Sequence, residues 1–274
     1  MPDSRSSLAF IFKSASLLVP ENMSDSDAVR GFNPDDDGLA LFSCGKPFQD
    51  YPDVHGTGKF RVYDHPQDEA LPAGWRELSI RSALGAAAIA SGQEIRVGNL
   101  FRSYHLHQWK SESAFCGRCG TANVFAEDEL ARLCPSCGRR EYPRISPAVI
   151  ILTTRADGRG LLAHNIKFRE GMYSLVAGFV EAGENLEEAA AREIREETGI
   201  EVEDICYAAS QSWPFPNSLM IGLRATYKSG ELHPDMVEIV DANWFAPDAL
   251  PEIPGPGSVS RSLIDAWLRE EAGR

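Results

Sequence analysis

The chain lacks any apolar run near the roughly 20 residues of a membrane-spanning helix, which excludes a helical membrane protein as its reading. Its most hydrophobic stretch, Ala148-Val-Ile-Ile-Leu152, has the length of a buried strand. Positive charge is in short supply: 27 Lys and Arg stand against 40 Asp and Glu, for a net charge of −13. That argues against a protein whose main business is duplex nucleic acid, because such binding rests on phosphate contacts. A small phosphorylated substrate stays open, since bound metal ions supply positive charge locally. A single-stranded RNA end held at its terminal nucleotide stays open as well. There is no fixed-period repeat and no low-complexity tail. The segment Ser4–Lys13 lacks a clear apolar core followed by a small-residue cleavage site, and reads as ordinary chain. What remains is ordinary for a soluble globular protein: 43% hydrophobic and 24% charged residues. A length of 274 residues leaves room for one large domain or two modest ones.

Six cysteines occur, and four of them are paired as Cys116-Gly-Arg-Cys119 and Cys134-Pro-Ser-Cys137. This spacing is close to the zinc-ribbon pattern, in which four thiolates close a tetrahedral site around one structural Zn²⁺ per chain. Gly120 and Gly138 follow the knuckles and permit the tight turns that point thiolates at one metal. The competing reading, two disulfides, requires an oxidising compartment for which no secretion signal speaks. Cys44 and Cys206 stand alone and read as small core or surface residues.

The pattern divides into residues 1–110, a mixed α/β domain; 113–143, the ribbon; and 144–274. In the first domain Leu39–Phe42 and Gly58–Tyr63 are strand-like, and Asn33–Gly38 is a turn without the oxygen spacing of a calcium loop. Ala83–Ala90 and Leu100–Trp109 read as helix. Beyond Pro147 come strands at Ala148–Thr153 and Gly160–His164, with Asp157-Gly158 turning between them. Further strands are expected at Glu203–Ser212, Leu219–Tyr227 and Val237–Phe245, with a proline-rich loop between the first two. An amphipathic helix over Ser258–Glu271 closes the chain.

The most informative stretch runs from Gly178 to Ile200. Asn185 is suited to cap a helix, and Glu188 stands at capping-box spacing. Leu186, Ala190 and Ile194 form an apolar stripe, and Gly199 suits a left-handed C-cap. On this helix Glu193, Glu196 and Glu197 stand at i, i+3 and i+4 and share one face. Like charges there repel, and a hard divalent cation bound through oxygen is the natural counterpart, with phosphate its usual partner.

Residues 178–200 fill every fixed position of Gly-x5-Glu-x7-Arg-Glu-U-x-Glu-Glu-x-Gly-U, with U aliphatic, and so resemble the Nudix box. A second stretch, Ser210-Gln211-Ser212-Trp213-Pro214-Phe215-Pro216-Asn217-Ser218, resembles the signature of the NADH pyrophosphatase branch of that superfamily. Ser212 departs from it, standing where the signature has a proline. That branch also carries a zinc ribbon just before its Nudix domain. The resemblance covers residues 110–274 well and the first hundred poorly.

The resemblance implies an α+β protein, its C-terminal domain a Nudix α/β/α sandwich with a mixed sheet, preceded by the ribbon and a Nudix-like mixed α/β domain. It implies an NAD⁺/NADH diphosphatase using Mg²⁺ or Mn²⁺ and yielding AMP and nicotinamide mononucleotide. Metal ligands would be Glu193, Glu196, Glu197, Glu238 and the carbonyl of Ala177, with Glu196 or Glu197 as catalytic base and Arg192 orienting the glutamates. Substrate contacts would come from Arg81, Glu129, Tyr142, Phe179, Gln211, Ser212, Trp213, Pro214, Phe215, Pro216, Asn217, Ser218 and Ser260. Phe179 and the 213–216 stretch also read as core packing. NAD-capped RNA is the alternative substrate, and a non-catalytic nucleotide sensor the alternative class. A cytoplasmic homodimer without membrane attachment is expected.

Overall fold

A computed structural model describes residues 8–28, 31, 49–52, 59–89 and 94–273. The expected turn at 33–38, the strand at 39–42 and Cys44 lie outside these residues. The chain divides into two compact units, 1–144 and 145–274, and the ribbon falls within the first.

The first unit holds strands β1 (Leu8–Lys13) and β2 (Ser16–Pro20), a short helix α1 (Asp25–Ala28), and strands β3 (Gln49–Pro52), β4 (Lys59–Asp64) and β5 (Trp75–Ser79). Helices α2 (Ile80–Ile89) and α3 (Glu94–Glu112) follow. Its sheet has the order β3-β4-β1-β2-β5, and β1 and β4 are its parallel pair. Phe10, Phe12, Leu17, Leu18 and Phe60 are fully buried and form much of its core. The ribbon contributes three two-residue strands, β6 (Val124–Phe125), β7 (Arg132–Leu133) and β8 (Arg140–Glu141), paired antiparallel in that order.

The second unit comprises β9 (Ser146–Thr154), β10 (Gly160–Asn165), β11 (Val176–Phe179), α4 (Leu186–Thr198), β12 (Glu201–Trp213), β13 (Ser218–Ser229), β14 (Ile239–Phe245) and α5 (Val259–Ala272). Strand β9 is its axis. One edge pairs in parallel with β13 along the whole strand. The other edge is shared, β10 meeting it at Thr154 and β11 along Ala148–Ile151.

Because side chains alternate across a strand, Val149 and Ile151 face a core completed by Ala189, Ala190 and Ile194 of α4. Ile150 and Leu152 enter a second core, against Val259, Leu263, Ile264 and Trp267 of α5. Helix on one face, mixed sheet between, helix on the other: this is the expected α/β/α sandwich. Strands β9, β12 and β13 run longer than the pattern suggested, whereas β14 begins at Ile239, two residues after the expected Val237. Strands β12 and β13 reach inward to Trp213 and Ser218, leaving four residues between them. No helix among the described residues is long and apolar enough to cross a membrane.

Candidate active site

Helix α4 is fixed at both ends by local chemistry. The Asn185 side chain accepts from the Glu188 N–H while the Glu188 carboxylate accepts from the Asn185 N–H, both at 2.9 Å. This is the reciprocal box that satisfies two otherwise orphaned donors. Gly199 closes the helix at φ 76°, a left-handed conformation costly for any residue with a Cβ.

The expected face then forms. Glu193 and Glu197 are buried, while the side chain of Glu196 is half exposed. Arg192 is the organiser. Its Nε donates to Glu184 Oε1 at 2.5 Å and its Nη2 to Glu184 Oε2 at 2.9 Å. Nη1 donates to Glu193 Oε1 at 2.8 Å and Glu196 Oε2 at 3.2 Å, and Nη2 also reaches the Phe179 carbonyl at 2.9 Å. Such charge-assisted forks are strong and directional. They hold the Glu184 carboxyl down to about 2, with help from the Glu181 N–H.

Glu197 is in the opposite condition. Burial, then the charges of Glu193, Glu238, Asp235 and Glu196, push its carboxyl up to about 8. Its Oε2 is buried and has no hydrogen-bond partner. A buried, orphaned carboxylate oxygen under the repulsion of four further carboxylate charges is unstable unless a proton or a cation joins it. Burial also raises the Glu193 carboxyl, with Glu196 and Glu238 adding to the effect against the pull of Arg192. Glu238 is 56% exposed and acts on both buried glutamates through its charge.

The β11 backbone lies close beneath this face. A Cβ placed on Gly178 would stand 2.0 Å from the Glu193 carboxyl carbon, so only glycine lets strand and carboxylate approach this far. Ala177 precedes it, paired with Ile150. The Phe179 ring is 52% exposed rather than packed in the core.

The 211–218 segment closes the β12–β13 hairpin. Trp213 and Phe215 meet edge to face at 5.3 Å, Pro214 is buried, and the Phe215–Pro216 peptide is cis. Ser212 and Pro216 are exposed. Gln211 spans to the start of α5, its Nε2 donating to the Gly257 carbonyl and its Oε1 accepting from the Val259 N–H, both at 2.8 Å. Asn217 Oδ1 accepts from the Ser146 hydroxyl at 2.8 Å. Ser218 is buried, and buried Ser260 shares a 2.8 Å hydrogen bond with the Ser174 hydroxyl.

Three expected substrate contacts belong to the first unit. Arg81 is exposed at the start of α2. Glu129 and Tyr142 come together, the Tyr142 hydroxyl donating to Glu129 Oε1 at 2.9 Å, with Arg140 Nη1 donating to the same oxygen at 2.5 Å.

The ribbon cysteines gather as their spacing requires. Their four sulfurs lie within 4.8 Å of one another, the one such set of three or more potential ligands among the described residues. Sulfur separations of 3.4 Å for Cys119–Cys134 and 3.7 Å for Cys116–Cys137 are far beyond the ~2.0 Å of a disulfide. They approach the ~3.8 Å edge of a tetrahedron with Zn–S near 2.3 Å. Gly120 and Gly138, each at φ 73°, turn the knuckles. The donor set fits a closed, structural Zn²⁺ site.

Asp235 was absent from the sequence expectations. It sits beside the cluster, its N–H bonded to the Glu197 carbonyl, and the only sequence signal for it is the tendency of Asp to accept from the N–H two residues on, here that of Val237. Burial opposes its charge, but N–H donors from Ile239, Val237 and Glu238 outweigh this and hold its carboxyl below the ordinary value.

The NUDIX domain family matches residues 144–266, and the NADH pyrophosphatase zinc ribbon domain family matches residues 111–142. A Pseudomonas fluorescens protein named NAD-capped RNA hydrolase NudC is 46% identical over 251 residues, spanning 89% of this chain and 88% of that protein. Its namesake from Chromobacterium violaceum is 44% identical over 224 residues, 81% of each chain. The one from Pseudomonas aeruginosa is 49% identical over 165 residues, so the match spans 60% of this chain and 59% of that relative's length.

Proposed function

This chain belongs to the Nudix hydrolase family, in the branch that carries the NADH pyrophosphatase zinc ribbon, and on that premise we propose that it hydrolyses the pyrophosphate bond of NAD(H). The products are AMP and nicotinamide mononucleotide. The observation that carries this reading is the buried, unpartnered Oε2 of Glu197, which feels the charges of four other carboxylates. The donor set is all oxygen and strongly acidic, which suits Mg²⁺ or Mn²⁺.

Glu193, Glu197 and Glu238 would hold the ions, with Glu196 sharing the cluster and the Ala177 carbonyl completing a site. The chemistry that bound Mg²⁺ or Mn²⁺ supplies is neutralisation of the pyrophosphate oxygens and acidification of a water. Glu196 or Glu197 takes that water's proton as its oxygen attacks one phosphorus in line. The bond from that phosphorus to the bridging oxygen breaks, and the leaving phosphate keeps the electron pair. Arg192 keeps Glu193 and Glu196 oriented from outside the reacting atoms. Exposed Phe179 offers a ring face for stacking on a base. The hairpin end, with Trp213, Pro214, Phe215 and Pro216 flanked by Gln211, Ser212, Asn217 and Ser218, gives a stiff wall for the substrate, beside Ser260.

A second substrate is supported by the name of the relatives, NAD-capped RNA hydrolase. The same bond is cut, with RNA continuing from the adenosine side. Nothing in the box favours a sensor, since every one of its glutamates is present. A homodimer in the cytoplasm completes the reading, and light scattering checks the dimer.

The test is incubation of the purified protein with Mn²⁺ and either NADH or a short NAD-capped RNA, with products identified by mass. AMP with reduced nicotinamide mononucleotide, or 5′-monophosphate RNA, supports the proposal. Intact substrates, or cleavage at the nicotinamide–ribose bond, overturn it. The ratio of kcat/KM values ranks the two substrates.

A further inference from the structure

We propose that Asp235 is a positioning residue for the metal cluster, building the turn that carries Glu238 to the end of α4. This rests on the reading of Glu193, Glu197 and Glu238 as metal ligands.

The last carbonyls of an α-helix have no partner within the helix. In α4 two of them are taken by the segment entering β14. His233 N–H donates to the Thr198 carbonyl at 2.8 Å, and Asp235 N–H to the Glu197 carbonyl at 3.1 Å. The backbone of Asp235 is therefore anchored to the backbone of a candidate ligand.

The Asp235 side chain then folds the following residues. Its Oδ1 accepts from the N–H of Ile239 at 2.8 Å, Val237 at 3.1 Å and Glu238 at 3.2 Å. Met236 N–H closes the turn on the Ile239 carbonyl at 3.0 Å, with Met236 at φ 59°, a left-handed conformation uncommon for a side chain of its size. Packing holds only the far end of this turn, at buried Ile239, because Met236 and Val237 are 67% and 72% exposed. The contacts of one carboxylate shape the residues between. A second anchor, from Ile166 N–H to the Glu238 carbonyl at 2.9 Å, fixes the Glu238 backbone against β10's end. Asp235 thus acts on the metal through Glu238, without being a ligand.

The experiment measures Mn²⁺ affinity by calorimetry or electron paramagnetic resonance, on zinc-loaded protein, for Asp235→Ala, Asp235→Asn, Glu238→Gln and the Asp235→Ala/Glu238→Gln double variant. Asp235→Ala is expected to weaken Mn²⁺ binding about tenfold, the lower end for loss of a supporting hydrogen bond. Asp235→Asn keeps an Oδ1 acceptor and is expected to retain most of the affinity. The double variant is expected to bind no more weakly than Glu238→Gln alone, because both changes remove one function. Asp235→Ser replaces Asp235→Ala if the latter does not fold, and is expected between Ala and Asn. Wild-type affinity in Asp235→Ala, an Asn variant as weak as Ala, or additive losses in the double variant would overturn the proposal while Glu238→Gln stays impaired. Wild-type affinity in Glu238→Gln overturns the underlying reading of Glu238, and this inference with it.

Discussion

Arg192 and Glu184, eight residues apart, form a two-point ion pair in which Nε and Nη2 each meet a separate carboxylate oxygen. The pair ties the loop before α4 to the helix itself. The third nitrogen, Nη1, remains to hold Glu193 and Glu196. Lysine has the charge but not the fork. Arg192→Lys is expected to lower kcat about 10- to 100-fold and to raise the Mn²⁺ concentration needed for half-maximal rate. A metal titration of steady-state rates checks both.

Glu197→Gln removes the orphaned oxygen's charge and is expected to cost about 10²–10⁴ in kcat. Its effect on stability has the opposite sign. The carboxyl is shifted from 4.5 up to about 8 by burial and by its acidic neighbours, so the fold favours the neutral acid. That contribution is complete below the unfolded value and is lost as pH rises through about 8. Zinc-loaded protein without Mg²⁺ or Mn²⁺ is therefore expected to lose melting temperature from pH 5 toward pH 8. Added Mn²⁺ restores it at pH 8, and Glu197→Gln flattens the profile. Melting curves across that range are the measurement.

Gly178→Ala places a methyl group where the Glu193 carboxylate now stands. A displacement of the order of 1 Å at a reacting centre costs roughly 10²-fold. The expected outcome is that loss in kcat/KM, accompanied by weaker Mn²⁺ binding, which parallel kinetics and calorimetry detect.

Phe179→Ala tests the exposed ring. Stacking on a base contributes roughly 1–3 kcal/mol, so KM is expected to rise about tenfold with kcat little changed. Initial rates over a range of NADH concentrations separate the two constants.

Cys116→Ser opens the zinc site. Loss of the metal is expected to unfold the ribbon, since its two-residue strands bury little on their own. Activity is expected to fall indirectly. Metal analysis paired with circular dichroism checks this, and full activity in a folded, zinc-free variant would contradict the structural role.

These features were unequally legible in the sequence. The caps of α4 were readable because Asn185, Glu188 and Gly199 act within a few residues of themselves. The ribbon was readable because two Cys-x2-Cys knuckles with following glycines leave little freedom to sulfur placement. The β1–β4 parallel pairing was not, since it joins segments about fifty residues apart through backbone bonds that carry no residue signature. The hydrogen bonds of the Gln211 amide to Gly257 and Val259 were not legible either, since these partners come within reach only once α5 has docked. Asp235 carries no clear sequence signal for a similar reason. Its carboxylate addresses backbone N–H groups, which every sequence possesses, and its link to Glu197 is made by main chain on both sides.

The most direct test of the central claim is a crystal soaked in Mn²⁺ and measured for anomalous scattering. The account predicts one or more peaks within about 2.5 Å of carboxylate oxygens of Glu193, Glu197 and Glu238. Peaks confined to other acidic surfaces, with the Glu197 oxygen still unpartnered, would contradict it.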